Sequence, residues 1–546
     1  MDVRQRVMGA AVRLRVVGTS ALVCALACVL PSHALASSTQ QSILLDDQHL
    51  IYSPPDQVAR TLAQIASLGV DEVKVSVVWS IVAPHPGWRH RPRFDASDPA
   101  AYPQGAWDRY DLIVRLAQQL GLGVYFQITP PAPEWAHSQL RPTQGYTWSH
   151  LPSDRQYREF VHAIGERYSG TYAAPLPPGD PPALGGAPAP PARIPRVSEW
   201  GIWNEPNEGA WLNPQYRVVG AGRAARKILL SPGLYRGLVD AGWKALAATG
   251  HASDTVLIGE TASHGWIYPP QFVRALYCVG PALRSLTGPA AAEVRCPRSG
   301  NPGGFVAAHP GLFDAAGYAH HPYSFDMPPN ARPPIPGEVT LANLPSFERL
   351  IDRIFGRYGR LPPEGVPMYM TEWGYKTDPP NPFVKTSPAQ QATYLNQGEY
   401  MAFRDPHLHS LAQFLLLDTA PNAAEPVGSR AYWGTFQTGL LTASGIRKPA
   451  YAAYRIPIWL PVARHGRRVV VWGQLRPANH AAVQHATLQL RLPGSGAWRE
   501  VREVATANAR GFLLAHVTIE SPGTVRLAWS DPQTGQTYYS RSVTVS

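Results

Sequence analysis

Between residues 43 and 460, segments with apolar side chains at helical spacing alternate with short segments that are apolar on both faces. Val58, Leu62 and Ile65 recur one turn apart, Gly69 closes that helix, and Val73-Lys74-Val75-Ser76-Val77-Val78-Trp79 follows as a strand. The unit repeats. Leu112, Ile113, Leu116 and Leu120 share a helix face, Gly121-Leu122-Gly123 turns the chain, and residues 124–128 read as the next strand. Further strands are expected at 197–203, at 255–260, around Ala319-His320-His321, at 366–372 and at 411–417. A helix over 231–248 is expected to start with Ser231 as N-cap and Pro232 in its first turn. Strands apolar on both faces belong to a parallel sheet covered by helices, and about eight such units predict a (β/α)8 TIM barrel with long loops.

Two regions break the rhythm. Residues 173–196 are crowded with prolines and can form neither a helix nor a central strand. Because the alternation resumes directly after them, they read as a surface insertion within a barrel domain spanning 37–464. From residue 465 to 546 the pattern changes to short strands punctuated by Pro-Gly and Asp-Pro, which predicts a small Ig-like β-sandwich. Trp472, Trp498 and Trp529 of that region are expected in its core, with a sugar-stacking platform as the alternative.

The N-terminus carries Arg4, Arg6, Arg13 and Arg15, an apolar run over 16–30, and Ala34-Leu35-Ala36 before Ser37. That is the layout of a secretory signal peptide cleaved after Ala36, and the run is short for a bilayer span of about 20 residues. Cys24 and Cys28 would leave with it, so Cys278 and Cys296 are expected to pair as one disulfide in an exported protein. No integral membrane segment is expected after cleavage, and a monomer is expected. The formal net charge is +11, but the arginines form no run or stripe, so no nucleic-acid partner is expected. An arginine-rich surface without a specific partner fits this scatter, with attraction to an acidic polysaccharide or cell surface as the alternative.

Chemistry enters at two strand ends. Trp200-Gly201-Ile202-Trp203 runs into Asn204-Glu205-Pro206-Asn207, where Pro206 has no N–H to continue the ladder. Val366-Pro367-Met368-Tyr369-Met370-Thr371 runs into Glu372-Trp373-Gly374. By strand count Glu205 ends strand 4 and Glu372 ends strand 7, so both carboxylates belong at the C-terminal mouth, where barrels of this kind keep their active sites. Two facing glutamates are what a retaining glycosidase needs. His321 and Tyr323 follow strand 6; a buried histidine satisfied by backbone is the alternative for His321. His320 and His321 are adjacent on a strand and point to opposite faces, so no metal site is expected, and no cofactor. Trp79, Trp135 and Trp373 lie at or after strand ends and are expected either as walls of sugar subsites or as core. Glu134 and Asp418 are further polar candidates at the mouth.

Over roughly residues 43–460 this arrangement resembles clan A of the glycoside hydrolases, and Trp203-Asn204-Glu205-Pro206-Asn207 is most similar to family 39 and to cellulase-like members of family 5. The resemblance implies Glu205 as acid/base, Glu372 as nucleophile, Asn204 as the contact to the sugar 2-hydroxyl, and His321 and Tyr323 as the clan's His-x-Tyr pair, with Tyr323 bonded to Glu372. Two departures stand out. Lys74 occupies the strand-2 position where the clan commonly has arginine, and Leu417-Asp418 stands where a strand-8 tryptophan is often found, with Trp433 as a substitute from the following loop. The reading is an exported retaining glycoside hydrolase whose partner is a β-linked carbohydrate. The alternatives are a non-catalytic glycan-binding protein on such a barrel, or a transglycosidase of the cell envelope.

Overall fold

The computed structural model describes residues 39–138, 140, 142, 144–175, 192–478 and 482–546. The expected signal peptide at 1–36 and most of the proline-rich insertion lie outside these residues; the insertion's two ends, Ala173–Ala174 and Ala192–Arg193, pair antiparallel. No helix among the described residues is long and apolar enough to cross a membrane.

Eight parallel strands close into a barrel: β1 (Gln41–Leu45), β2 (Glu72–Val78), β3 (Gly123–Thr129), β4 (Glu199–Ile202), β5 (Thr255–Ala262), β6 (Gly317–His321), β7 (Met368–Met370) and β8 (Leu408–Phe414). They neighbour one another in chain order, and β8 pairs with β1 from Gln41↔Ser410 to Leu45↔Phe414. Each is followed by a helix: α1 (Pro55–Ser67), α2 (Asp108–Gln119), α3 (Asp154–Arg167), α4 (Ser231–Ala248), α5 (Pro269–Leu276), α6 (Leu344–Arg357), α7 (Pro388–Phe403) and α8 (Pro449–Arg455). The expected barrel is therefore the observed one.

Alternation along the strands divides two environments. In β2, Val73, Val75 and Val77 join the large core between sheet and helices, while Glu72 and Lys74 face inward. In β3, Phe126 and Ile128 point outward, whereas Tyr125 packs inside the barrel with Leu257, Ala319 and Tyr369.

Two local expectations are corrected. Ser231 is the first helical residue of α4 rather than its cap; its hydroxyl donates to the Gln215 side chain at 3.0 Å, and the cap position falls to Leu230. The eighth strand lies three residues earlier than expected. Leu415 turns left-handed (φ 79°) and ends it, and the apolar run continues because Leu416 is buried in the same core.

Cys278 and Cys296 are joined by the expected disulfide. After α8 the chain forms two antiparallel sheets, one of β9 (Ile458–Trp459), β10 (Arg468–Gln474) and β13 (Phe512–Thr518). The other runs β12 (Arg499–Ala505), β11 (His485–Arg491), β14 (Gly523–Ser530) and β15 (Thr537–Tyr539), with β16 (Val543–Val545) also on β14. Both sheets feed one buried cluster that includes Val471, Leu488, Leu513 and Leu527. Trp472 and Trp529 are buried, and Trp498 is flanked by the guanidinium groups of Arg491 and Arg526.

These sheets are fastened to the barrel. Trp472 packs on Phe403 of α7 and on Phe512, and Arg476 pairs with Glu399 at 2.5 Å. Gly69, at φ 76°, lets the turn after α1 lie against the Arg476 carbonyl, where an added Cβ would come within 2.2 Å of that oxygen.

Candidate active site

The site is built on the C-terminal ends of β4, β5, β6 and β7. Glu205 leaves β4 in a left-handed conformation (φ 36°), and its N–H donates to the carbonyl of Glu260 at 2.9 Å, tying the end of β4 to β5. Asn207 completes that tie: its Nδ2 donates to the carbonyls of Ala262, His264 and Ile267, and its Oδ1 accepts from the N–H of Ala262.

Glu260 is the residue the sequence reading did not single out. Strict alternation would put it on the same side as Ile258, facing the helices. Instead β5 carries a bulge against β6, where Tyr318 pairs with Ile258 but His320 pairs with Thr261. Gly259 adopts φ 103° there, and a Cβ on it would lie 2.6 Å from the Ala319 carbonyl and 2.7 Å from the Tyr318 ring. The bulge turns Glu260 (φ 45°) into the barrel, fully buried. The sequence signal was the Gly-Glu pair within an apolar strand.

Inside, Glu260 is surrounded by donors. Its Oε2 accepts from Lys74 Nζ at 3.1 Å, Gln127 Nε2 at 3.1 Å, Thr371 Oγ1 at 2.8 Å and His321 Nε2 at 2.7 Å. Its Oε1 accepts from the Tyr125 hydroxyl. Burial alone would push this carboxyl up, but Lys74, His321 and Tyr125 outweigh it and hold the group ionised, at about 2.

His321 links this anion to the mouth. Its Nδ1 lies 2.9 Å from Glu205 Oε1 and 3.7 Å from Glu372 Oε2. Burial disfavours the imidazolium, yet the surrounding Glu372, Glu205 and Glu260 carboxylates raise it to about 9. His320, on the opposite face as expected, bonds Thr261 and the Val339 carbonyl, and burial lowers it to about 3.

Glu372 lies just past β7. It accepts from Tyr323 at 3.3 Å and from Lys74 Nζ at 3.2 Å, so the expected Tyr323 contact is present. Lys74 thus spans the two carboxylates on β5 and β7; burial works against its charge, and those two anions prevail and raise its pKa. Burial and the charge of Glu372 push the Tyr323 hydroxyl well up, so it stays a donor. Glu205 is held on its other oxygen by Trp211 Nε1 at 3.0 Å, a contact with no sequence signal. Asn204 Oδ1 accepts from Gln127 Nε2 at 2.8 Å. Carboxylate oxygens of Glu205 and Glu372 and a nitrogen of His321 all lie within 4.8 Å of one another.

Two carboxylates and an imidazole are also metal-ligand types. Here both ring nitrogens of His321 face carboxylates, and the Lys74 ammonium already sits against Glu372. A cation at this point would meet that fixed positive charge.

The tryptophans named from sequence lie elsewhere. Trp79 continues the outward face of β2 and stacks on Phe160 at 5.4 Å; Trp135 packs edge-on to Trp79; Trp373 packs on Gly398 of α7. They are 1%, 6% and 1% exposed, which is the core alternative. Exposed rings on the loops that follow the strands include Tyr52, Trp88, Tyr146, Trp148, Trp266, Phe325, Phe383 and Phe436, after β1, β2, β3, β5, β6, β7 and β8. Asp418 pairs with Lys448 at 2.7 Å. Trp433 is half-buried in the β8 loop, its carbonyl accepting from Asn381.

No family model matches this chain, and no curated protein matches it. Solved structures similar to it include GH39 and GH5_18 enzymes, both of glycoside hydrolase clan A. A GH39 enzyme from Xanthomonas axonopodis pv. citri is 14% identical, with 89% of this chain and 93% of that chain covered and a TM-score of 0.46. A GH5_18 protein from Streptomyces cattleya, solved with GlcNAc, is 14% identical over 77% of this chain and 79% of that one, with a TM-score of 0.45. The β-glucuronidase of Parabacteroides merdae is 11% identical, covering 93% of this chain and 48% of its own, at a TM-score of 0.39. The chain spans about half the length of the β-glucuronidases it matches. At such identities the fold and chemistry of this chain rest on its own strands and side chains.

Proposed function

We propose that this chain is an exported retaining glycoside hydrolase acting on a β-linked glycan, with Glu205 as acid/base and Glu372 as nucleophile. The observation that carries the reading is the approach of the two carboxylates: their oxygens lie within 4.8 Å at the mouth of the barrel. Retaining enzymes keep these groups about 5–5.5 Å apart, whereas inverting ones leave about 6.5–9.5 Å for a water.

The surroundings support a division of labour. Lys74 Nζ and the Tyr323 hydroxyl both donate to the Glu372 carboxylate and orient it, which suits attack on the anomeric carbon. As the bond from Glu372 to that carbon forms, the bond to the leaving oxygen breaks, and that oxygen takes a proton from Glu205. The proton has a local source. His321 Nδ1 and Glu205 Oε1 lie 2.9 Å apart, and one proton is shared along that line. Its transfer makes Glu205 the acid and leaves a neutral imidazole that still donates Nε2–H to Glu260. In the second half Glu205 takes a proton from water, whose oxygen displaces Glu372. Asn204, with Oδ1 held by Gln127, keeps its Nδ2 donor for the sugar 2-hydroxyl. Asn204, His321 and Tyr323 form the sugar-binding wall. Trp79, Trp135 and Trp373 are left out of it, because their rings are buried.

The test is hydrolysis of an aryl β-glycoside panel by residues 37–546, beside Glu372→Ala and Glu205→Ala. Loss in Glu372→Ala with azide rescue and an inverted glycosyl azide is the expected outcome. Turnover that survives Glu372→Ala would overturn the assignment.

A further inference from the structure

We infer that the hairpin between β4 and α4, with the aromatic rings beside it, is a docking surface for an anionic polysaccharide on the acid/base side of the site. The part of this inference that runs the bound strand into the cleft rests on the glycosidase reading; the docking itself does not.

The hairpin pairs Tyr216–Val219 with Arg226–Leu229, in register Tyr216↔Leu229 to Val219↔Arg226. Between Glu208 and Asp240 the chain has no acidic residue, yet the hairpin carries Arg217, Arg223, Arg226 and Lys227. Arg226 pairs with Glu293 at 2.8 Å. No ion pair to Arg223 or Lys227 occurs among the described residues, whereas Arg226 and, from the same side, Arg217 lower the pKa of Glu293. Arg217, Arg223 and Lys227 are all exposed. Pairing places Tyr216, Val218 and Lys227 on one face and Arg217 with Arg226 on the other, the side that meets Glu293. On that face the Lys227 ammonium sits over the Tyr216 ring at 4.0 Å, and Val218 is exposed.

Aromatic surface continues from there toward the catalytic pair. The Tyr216 and Trp266 rings are 6.4 Å apart, and Trp266 covers Gly209, four residues after Glu205. Tyr216 N–H donates to the Gln144 side chain, and two residues beyond Gln144 begins the exposed Tyr146–Trp148 stack, with centroids 4.3 Å apart. At the root of the hairpin Trp211 donates to Glu205 itself. A lysine seated on the ring-bearing face, with arginines at the turn and along the far edge of the hairpin, suits a chain of sugars bearing carboxylates or sulfates: rings stack on the C–H faces while ammonium and guanidinium groups meet the anions. A neutral glycan would use the rings and leave the cations idle.

The test uses the full chain from residue 37 and immobilised polygalacturonate, alginate, dextran sulfate, xylan and glucomannan. The variants are Arg217→Ala/Arg223→Ala/Lys227→Ala, which leaves the Arg226–Glu293 pair intact, and a control of equal charge loss, Arg464→Ala/Arg467→Ala/Arg499→Ala. Expected is retention on the anionic polymers at about 0.1 M salt and release toward about 1 M, with the hairpin variant weakened about tenfold and the control unchanged. Retention on uronates or on sulfates alone identifies the anion. No retention, or an equal loss in both triple variants, overturns the proposal. Glu372→Gln is expected to bind unchanged, and the hairpin variant to hydrolyse small aryl glycosides as the native chain does. Hairpin-dependent binding without any glycoside hydrolysis keeps the docking surface and removes the glycosidase reading.

Discussion

His321 Nε2 lies 2.7 Å from Oε2 of Glu260, a glutamate that reaches the barrel interior through the bulge in β5. The ring's other nitrogen faces Glu205 at 2.9 Å, so one imidazole joins the buried Glu260 carboxylate to the glutamate at the end of β4.

This pair sets a pH window for stability. Glu260 is drawn down to about 2 from an ordinary 4.5, so its contribution is present above 4.5 and lost as pH falls toward 2. His321 is raised to about 9 from 6.5, so its contribution is complete below 6.5 and lost as pH rises through 9. Each shift corresponds to about 3 kcal/mol, and because they share one hydrogen bond the two do not add. Stability should therefore be greatest between roughly pH 4.5 and 6.5 as far as this pair is concerned. In Glu260→Gln, denaturant midpoints should lose part of the alkaline slope and the His321 ring should titrate lower by NMR. Superimposable profiles between about pH 6 and 10 would detach His321 from Glu260.

The bulge itself is open to a single substitution. Gly259→Ala puts a methyl 2.6 Å from the Ala319 carbonyl at φ 103°, a region that side-chain-bearing residues avoid. The strand must either strain or straighten, and straightening turns Glu260 toward the helices. A loss of about 2–4 kcal/mol in urea unfolding is expected and, under the proposed function, a fall in kcat that exceeds any change in KM. Native-like activity in Gly259→Ala would mean that the site does not depend on the bulge.

Much of this was legible beforehand. Glu205 and Glu372 stood out because each interrupts an apolar strand at its C-terminal end, and the barrel followed from the alternation. Glu260 did not, because one extra residue in β5 inverts its facing, and alternation carries no mark of that beyond a glycine. Trp79 was open to either reading, but its odd-numbered register with Val73, Val75 and Val77 already places it on the helix side. The exposed rings sit in loops, where no periodicity tells a side chain's direction.

That contrast gives a paired prediction. Trp79→Ala empties a stacked, buried site and should cost about 3–5 kcal/mol of stability. Trp266→Ala removes a ring that is 43% exposed beside Gly209 and should leave the unfolding midpoint nearly unchanged. Under the proposed function it should instead raise KM for oligosaccharides by about tenfold or less, with small aryl glycosides unaffected. Denaturation and steady-state kinetics on the two variants separate the roles; a KM effect confined to Trp79→Ala would reverse them.

The C-terminal sheets should unfold with the barrel rather than before it. Trp472 lies against Phe403 of α7, Arg476 holds the buried Glu399, Arg510 pairs with Asp71, and Arg541 Nε donates to Asn396 at 2.9 Å. Burial pushes Glu399 up to about 7 even though Arg476 opposes it, so losing Arg476 would leave a buried carboxyl with less reason to ionise. Trp472→Ala opens a cavity at this joint and should cost about 3–5 kcal/mol. Because both parts share the contact, calorimetry should show one transition that moves down as a whole. Two resolved transitions, of which only one shifts, would show that the sheets and the barrel are thermodynamically separate.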